Sequence, residues 1–396
     1  MSIFHFLVPV YLGLALLVGW RLWRLAVGTR LRPWASGFYA LLVLLLPLAD
    51  RATHAGGAGL LPSWLQSLAL YAPPYLLNVL LMLVPLDLLV GLAGRARLVA
   101  PAAMASPAVA RCRLAAVLGL PLGIVAWGAD AYSHLTISPY AIAVPRRQAT
   151  VAQVRLAVAS DFHLGSRTRP GFVEAFVNQV NGLGVDLLLL PGDVVEGGRR
   201  GAVAEAQATL LAGLRTRYGV FAALGNHEGY GGVPRAFFQR AGIVLLADSV
   251  ATIPGVCRLV GRRDGHGPRR QSLAALLSQT DASLPIFVLD HRPVDLALTA
   301  AEDVDLQVSG HTHHGQLFPL NLITGWLYDL SWGHRQLGRT HFIVTSGTQG
   351  WGPPVRTVGR SEIVVIELSL VDPPAATVAG YGGLVGRGDP QRVTVP

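Results

Sequence analysis

Residues 3–20, IFHFLVPVYLGLALLVGW, carry no formal charge. As a helix this run is about 27 Å long at ~1.5 Å per residue, close to the ~30 Å hydrocarbon thickness of a bilayer. A cleaved signal peptide would place basic residues before the run and a small-residue site after it. Here the arginines follow the run, at Arg21 and Arg24, which favours a retained span. Further apolar runs lie at 34–49, at 64–92 (starting after Pro73-Pro74) and at 114–128. The expectation is a bundle of about four transmembrane helices over 1–135. A mean hydropathy of +0.45 with only 14% charged residues agrees with it.

The arginines orient the bundle. The loop after the first run holds Arg21, Arg24, Arg30 and Arg32, and the loop after the third holds Arg95, Arg97, Arg111 and Arg113. The loop after the second run holds only Arg51. By the positive-inside rule the two arginine-rich loops are cytoplasmic. A multi-pass inner-membrane chain follows, partnered by the lipid bilayer, with everything after residue 135 on the outer side. All 32 basic residues are arginine and the net charge is +9, but many flank apolar runs, so no nucleic-acid partner is expected. Asp87 falls inside the third run. An intramembrane carboxylate is a functional-site candidate, although its place near the helix end also lets it reach the interface. Cys112 and Cys257 are far apart, with no CxxC spacing. They predict neither a disulfide framework nor a thiolate metal site.

After a proline-containing linker at 136–153 the pattern changes. VRLAVAS (154–160), VDLLLL (185–190) and GVFAAL (219–224) read as buried strands, separated by helical stretches at 171–184 and 202–215. That alternation implies a mainly parallel sheet with helices on its faces. Further strands are expected at 243–247, 256–261, 286–290, 304–308, 341–345 and 362–368, with little helix after residue 300. The less regular spacing points to two packed sheets over 154–370, followed by a Pro/Gly-rich tail at 371–396.

Each strand ends in polar groups suited to a metal: Asp161-Phe-His163, Gly192-Asp193, Asn226-His227-Glu228, Asp290-His291 and His311-Thr-His313. Open α/β sheets gather functional groups past the carboxyl ends of their strands. In extended backbone, the i,i+2 pairs Asp161/His163 and His311/His313 each project to one side. Carboxylate, amide and imidazole donors without thiolate fit manganese, iron or zinc. Asp161, His163, Asp193, Asn226, His291, His311 and His313 exceed what one tetrahedral ion takes, but suit two divalent ions sharing a carboxylate. Two ions ~3.5–4 Å apart can clamp a phosphate and activate a water. Taken singly, His291 reads as a core or turn residue, Asn226 as a turn cap, and Gly192, Gly225 and Gly310 as ordinary turn glycines.

In order, DFH, GDVVEG, GNHE, the His of DHRP and GHTH resemble the motifs of calcineurin-like metallophosphoesterases over about residues 155–368. The resemblance implies a four-layer α/β/β/α sandwich around a dinuclear centre. It implies one ion held by Asp161, His163 and His313, the other by Asn226, His291 and His311, and Asp193 bridging. It makes His227 a phosphate-contacting group that stabilises the transition state or protonates the leaving group, with Glu228 orienting it. The implied activity is metal-dependent hydrolysis of phosphate mono- or diesters, with lipid or envelope phosphoesters as plausible substrates at a bilayer.

The chain departs from the pattern at His314, where membrane-associated relatives usually have Gly, and at Glu196, where Asp is common. His314 is expected to point away from the metals. Arg262, Arg263, Arg269 and Arg270 cluster in one loop and read as a solvated basic loop or an anion contact. The competing class is a membrane scaffold or sensor on an inactive phosphoesterase fold, which would have lost ligands; transport through the spans has only Asp87 behind it.

Overall fold

The computed structural model describes residues 4–26, 29–30, 32–37, 39–41, 43–44, 62–98, 100, 102, 106–165, 168–196, 202–230, 235–265, 270–280 and 282–372. Most of the 371–396 tail, Arg269 and part of the apolar run at 34–49 lie outside the described residues.

The amino-terminal third is helical: α1 (Phe4–Leu25), α2 (Ser63–Ala69), α3 (Ala72–Arg95) and α4 (Pro107–Ser133). Among the described residues two helices are long and apolar enough to cross a membrane, Trp64–Arg95 and Pro107–Ser133. The expected four are therefore met by two. Val18, Leu22, Leu76, Val79, Leu83, Val117 and Val125 pack α1, α3 and α4 together. Asp87 has a structural partner set. Its carboxylate pairs with Arg21 of α1 at 3.2 Å and Arg113 of α4 at 3.1 Å. The Asp87 carboxylate thus links three helices, at the end of the bundle where α1 and α3 stop and α4 starts.

α4 runs directly into β1 (Leu135–Pro145), where the sequence reads as linker. β1 lies at a sheet edge, a position that tolerates prolines because no inner partner needs their missing N–H. It pairs in parallel with β12 (Ser361–Val371) along its whole length. The first sheet has the order β1-β12-β2-β3-β4-β5, with β2 (Gln153–Val158), β3 (Leu187–Pro191), β4 (Val220–Ala223) and β5 (Val244–Leu245). Only the β12–β2 pair in it is antiparallel. The second sheet runs β10-β11-β9-β8-β7-β6, from β6 (Ser249–Ile253), β7 (Cys257–Gly261), β8 (Ile286–Leu289), β9 (Leu306–Ser309), β10 (Gly333–Leu337) and β11 (Thr340–Val344). Its outer pairs are antiparallel and its centre parallel. Beyond the strands expected from sequence, β1, β6 and β10 are new; all three lie at sheet edges.

The run LLLL of β3 shows why buried strands read as continuous apolar sequence. Leu187 and Leu189 face the second sheet, meeting Leu259, Phe287, Leu289 and Leu306. Leu188 and Leu190 face the helix side, among Phe176, Val177 and Val180 of α5 (Phe172–Leu183) and Ala208 of α6 (Ala202–Leu211). On the outer face of the second sheet, Val260, Ile286 and Val288 pack on Leu273 and Leu276 of α9 (Leu273–Leu277). Short helices α7 (Asn226–Tyr230) and α8 (Arg235–Arg240) follow β4, and α10 (Leu296–Ala301) follows β8. After residue 300, where little helix is expected, α11 (Leu320–Leu327) sits between β9 and β10.

Candidate metal centre

The loops after β2, β3, β4, β8 and β9 converge at one end of the paired sheets. Among the described residues, three groups bring donor atoms within 4.8 Å of one another: Asp161 with His163 and His313; His163 with Asp193 and His227; and Asp193 with His291 and His311. Asp193 thus stands between the Asp161 and His311 sides. Asn226 begins α7, buried beside them.

The backbone reaches this arrangement by a route the sequence did not suggest. Asp161 (φ 58), His163 (47), Asp193 (52), His311 (71) and His313 (47) are all left-handed, not extended. Non-glycine residues there cost about 1–2 kcal/mol each, and such strain collects at functional sites. Asp161 and His163 still share a group, while His311 and His313 fall in different ones. The neighbouring glycines are required by close approach. A Cβ on Gly225 would lie 2.1 Å from Asp193 Oδ1, and one on Gly310 2.3 Å from Asp161 Oδ2.

The donor chemistry fits a cation. His291 Nδ1 donates to the Pro191 carbonyl at 2.8 Å, which leaves Nε2, 3.1 Å from the Asp193 carboxylate, as the atom that takes a proton or a metal ion. His163 Nδ1 bonds Glu196 Oε1 at 3.1 Å, and its Nε2 faces His313 Nε2 at 3.3 Å. Imidazoles anchored by the far nitrogen, with lone pairs facing other acceptors, are how metal ligands are oriented. The buried His313 Nδ1 has no hydrogen-bond partner. Burial, His291 and Arg292 hold His311 down at about 3, and burial with His163 keeps His313 well below the usual range. Both are neutral bases with electrons to give. His291 shows the opposite field. Burial opposes its charge, yet Asp193 and Asp161 push it up to about 10, so a cation is favoured there.

His227 is oriented by Glu196, and the expectation for Glu228 is corrected. His227 Nδ1 bonds Glu196 Oε2 at 2.9 Å. Against burial, Glu196 and the Asp193 charge raise the imidazole above its ordinary value. Two histidine bonds bring the Glu196 carboxyl down to about 2 despite its burial. Glu228 instead accepts the backbone N–H groups of Asp193 (3.1 Å), Val194 (2.6 Å), Val195 (3.0 Å) and Gly225 (2.8 Å). Neighbouring residues on a helical turn do not face the same way. On α7, His227 therefore turns to Glu196 while Glu228 turns inward and pins the Asp193 loop to the Gly225 loop.

His314 is in none of the donor groups; its Nδ1 lies 3.3 Å from Ser331 Oγ and its ring 5.0 Å from that of Trp332. In the basic loop, Arg262 and Arg270 pair with buried Asp290, and the Arg263 N–H donates to Asp248. The sequence did not single out Arg356. Fully buried, it donates to the carbonyls of His313 (3.1 Å), Ser346 (2.9 Å) and Gln349 (2.6 Å), bracing the His313 turn. Trp351, whose ring is 6.3 Å from His227, and Tyr328, 6.1 Å from His311, also went unnoticed. They lie in loops without a periodic signal.

Residues 154–315 match the family model of the calcineurin-like phosphoesterases. The chain carries a calcineurin-like phosphoesterase domain. This phosphoesterase domain is 30% identical over 226 residues to an uncharacterized metallophosphoesterase of Helicobacter pylori strain J99, covering 54% of this chain and 60% of that one. An uncharacterized metallophosphoesterase of Aquifex aeolicus is 29% identical over 252 residues, 60% of this chain and 95% of its own. A Danio rerio "transmembrane protein with metallophosphoesterase domain" is 30% identical over 236 residues, 54% of this chain and 53% of its own. The match therefore spans only somewhat over half of the Helicobacter and Danio proteins. Divalent metal ions belong to such a domain, and the donor groups described here are the candidates to hold them.

Proposed function

We propose that the chain is a membrane-anchored hydrolase of phosphate mono- or diesters, with two divalent ions at the converged loops. The observation that carries this reading is Asp193, one carboxylate shared between donor groups on either side. Asp161, His163 and His313 hold one ion, and Asn226, His291 and His311 the other, with Asp193 between them. When bound, the ions supply positive charge for the phosphoryl oxygens and acidify the attacking water. Water attacks phosphorus and loses a proton to solvent, the P–O bond to the leaving group breaks, and the imidazolium of His227 delivers its Nε2 proton to the departing oxygen and is reprotonated from solvent. The bond between Nδ1 and Glu196 fixes the tautomer and keeps that proton on the ring. Manganese, iron and zinc all suit the donors.

The two long apolar helices and the transmembrane relatives support anchoring by several spans. The arginine-rich loops are assigned to the cytoplasmic side and the hydrolase to the outer side, with 1–135 as the anchor and 154–370 as the catalytic unit. Protease accessibility in intact cells tests the topology: cleavage is expected, and protection contradicts it. For the chemistry, the test is a panel of aryl phosphate mono- and diesters with Mn²⁺, Zn²⁺ and Fe²⁺ supplied separately. Turnover abolished in Asp193→Ala and His313→Ala is expected; full activity in both variants rejects the assignment.

A further inference from the structure

α11, LNLITGWL, contains no buried residue, yet it exposes Leu322 (63%), Ile323, Trp326 (83%) and Leu327. Phe318 just before it and Trp351 near His227 are exposed too. A contiguous apolar patch of this kind on a soluble surface marks a binding face. We propose that α11 lies in the bilayer leaflet on the catalytic side, and that the metal centre takes phosphoesters whose lipid tails rest along it. This deepens the phosphoesterase reading and rests on it.

The occupant follows from where the helix begins. Leu317 is buried in the same cluster as Val18, Leu76, Val117 and Val125 of the long apolar helices. The Phe318 N–H donates to Thr357 Oγ1 at 2.8 Å. Thr357 Cγ2 lies only 3.2 Å from where a Cβ on Gly128 of α4 would be, and the Gly128 carbonyl accepts the Arg356 N–H at 2.8 Å. The segment that leads into α11 is thus tied, through Thr357, to α4 at the level of Gly128. From Arg113, in the charged clamp with Asp87, to Gly128 the helix rises about 22 Å at ~1.5 Å per residue. That is less than the ~30 Å hydrocarbon thickness. With the arginine clamp at one face of the bilayer, Gly128 sits within or at the border of the opposite leaflet, and α11 beside it. Trp127, exposed on α4, and Trp326 and Trp351 supply the aromatic side chains that favour this interface.

The same helix is tied to the centre at both ends. A Cβ on Gly315, in the turn after His313, would fall 2.3 Å from the Asn321 backbone nitrogen, so ligand turn and first helical turn are in direct contact. Just past the other end, Tyr328 packs edge-on against His311. A lipid leaving its leaflet along α11 therefore delivers its headgroup to the metal-ligand loop. A small soluble ester needs none of this apolar surface.

The test uses the full chain in phosphatidylcholine vesicles with brominated acyl chains. The Trp326 contribution is the difference between wild-type and Trp326→Phe emission, recorded in brominated and in unbrominated vesicles; brominated chains are expected to quench it, and a Trp326 contribution of equal size in both vesicles overturns the proposal. Hydrolysis of hexadecyl para-nitrophenyl phosphate in vesicles is then compared with that of methyl para-nitrophenyl phosphate in water. The triple variant Leu322→Gln, Ile323→Gln, Trp326→Gln is expected to lose at least about tenfold on the vesicle substrate, equivalent to ~1.4 kcal/mol, and to keep its rate on the soluble one. Equal rates of variant and wild type on the vesicle substrate also overturn it. If wild type hydrolyses no ester of the panel, the phosphoesterase reading falls, and the quenching result still decides whether α11 lies in the leaflet.

Discussion

Replacing Glu228 separates two accounts of the same residue. If it served to orient His227, Glu228→Ala would slow turnover and leave stability alone. In the structure its carboxylate is fully buried and holds four backbone N–H groups from two loops. A buried donor left unsatisfied costs ~1–3 kcal/mol. Even at the low end, with some recovery by water entering the cavity, Glu228→Ala should cost about 4 kcal/mol. For a domain of this size that lowers Tm by about 8–16 °C. Glu228→Gln is a graded case. One amide oxygen can still accept from Val194 and Val195, but the NH2 then opposes the N–H groups of Asp193 and Gly225, so about half the loss is expected. Thermal unfolding followed by intrinsic fluorescence, with metal content measured on the same samples, reads both effects. Both variants should also bind less metal, because the pin sets Asp193. A Glu228→Ala protein that melts with wild type and differs only in turnover would refute the pinning argument.

Glu196→Gln removes the charge that helps raise His227, so the His227 pKa falls and the alkaline limb of the pH–rate profile moves to lower pH, with Tm nearly unchanged; an unmoved limb contradicts the assigned orienter. Gly225→Ala drives a methyl group into Asp193 Oδ1 and should lower kcat/KM by about 100-fold, the scale of a misplaced catalytic group; near-wild-type kcat/KM would show that the loop yields freely. Asp87→Asn weakens the clamp on Arg21 and Arg113 and should cost about 1–3 kcal/mol of stability while leaving aryl phosphate turnover intact; lost turnover at unchanged stability would restore a functional role to Asp87.

The interior strands were legible because burial on both faces writes itself as unbroken apolar sequence, as in Leu187–Leu190, and because each ended in a polar motif. The edge strands β1, β6 and β10 were not, since an edge strand tolerates prolines and polar residues such as those of LTISPYAIAVP and GHRQL. The candidate donors that the structure brings together were legible for the same reason as the strands: they sit at fixed offsets past them. What failed was inference from adjacency. Glu228 follows His227 in sequence but diverges from it on α7, whereas Glu196, more than thirty residues away, reaches the imidazole across the sheet. Arg356 has no sequence signature, because its role is set by three carbonyls that only the folded loops bring together. The exposed face of α11 was hidden in an apolar stretch that reads equally well as core.

The most direct test of the central claim counts metal. The purified chain, loaded and desalted, is analysed by inductively coupled plasma mass spectrometry alongside His311→Ala, His313→Ala and Asp193→Ala. The shared position of Asp193 predicts about two ions per chain in wild type, about one in either histidine variant, and the greatest loss in Asp193→Ala. A folded wild-type chain that binds no metal, or an Asp193→Ala variant that keeps the full complement, would contradict the account.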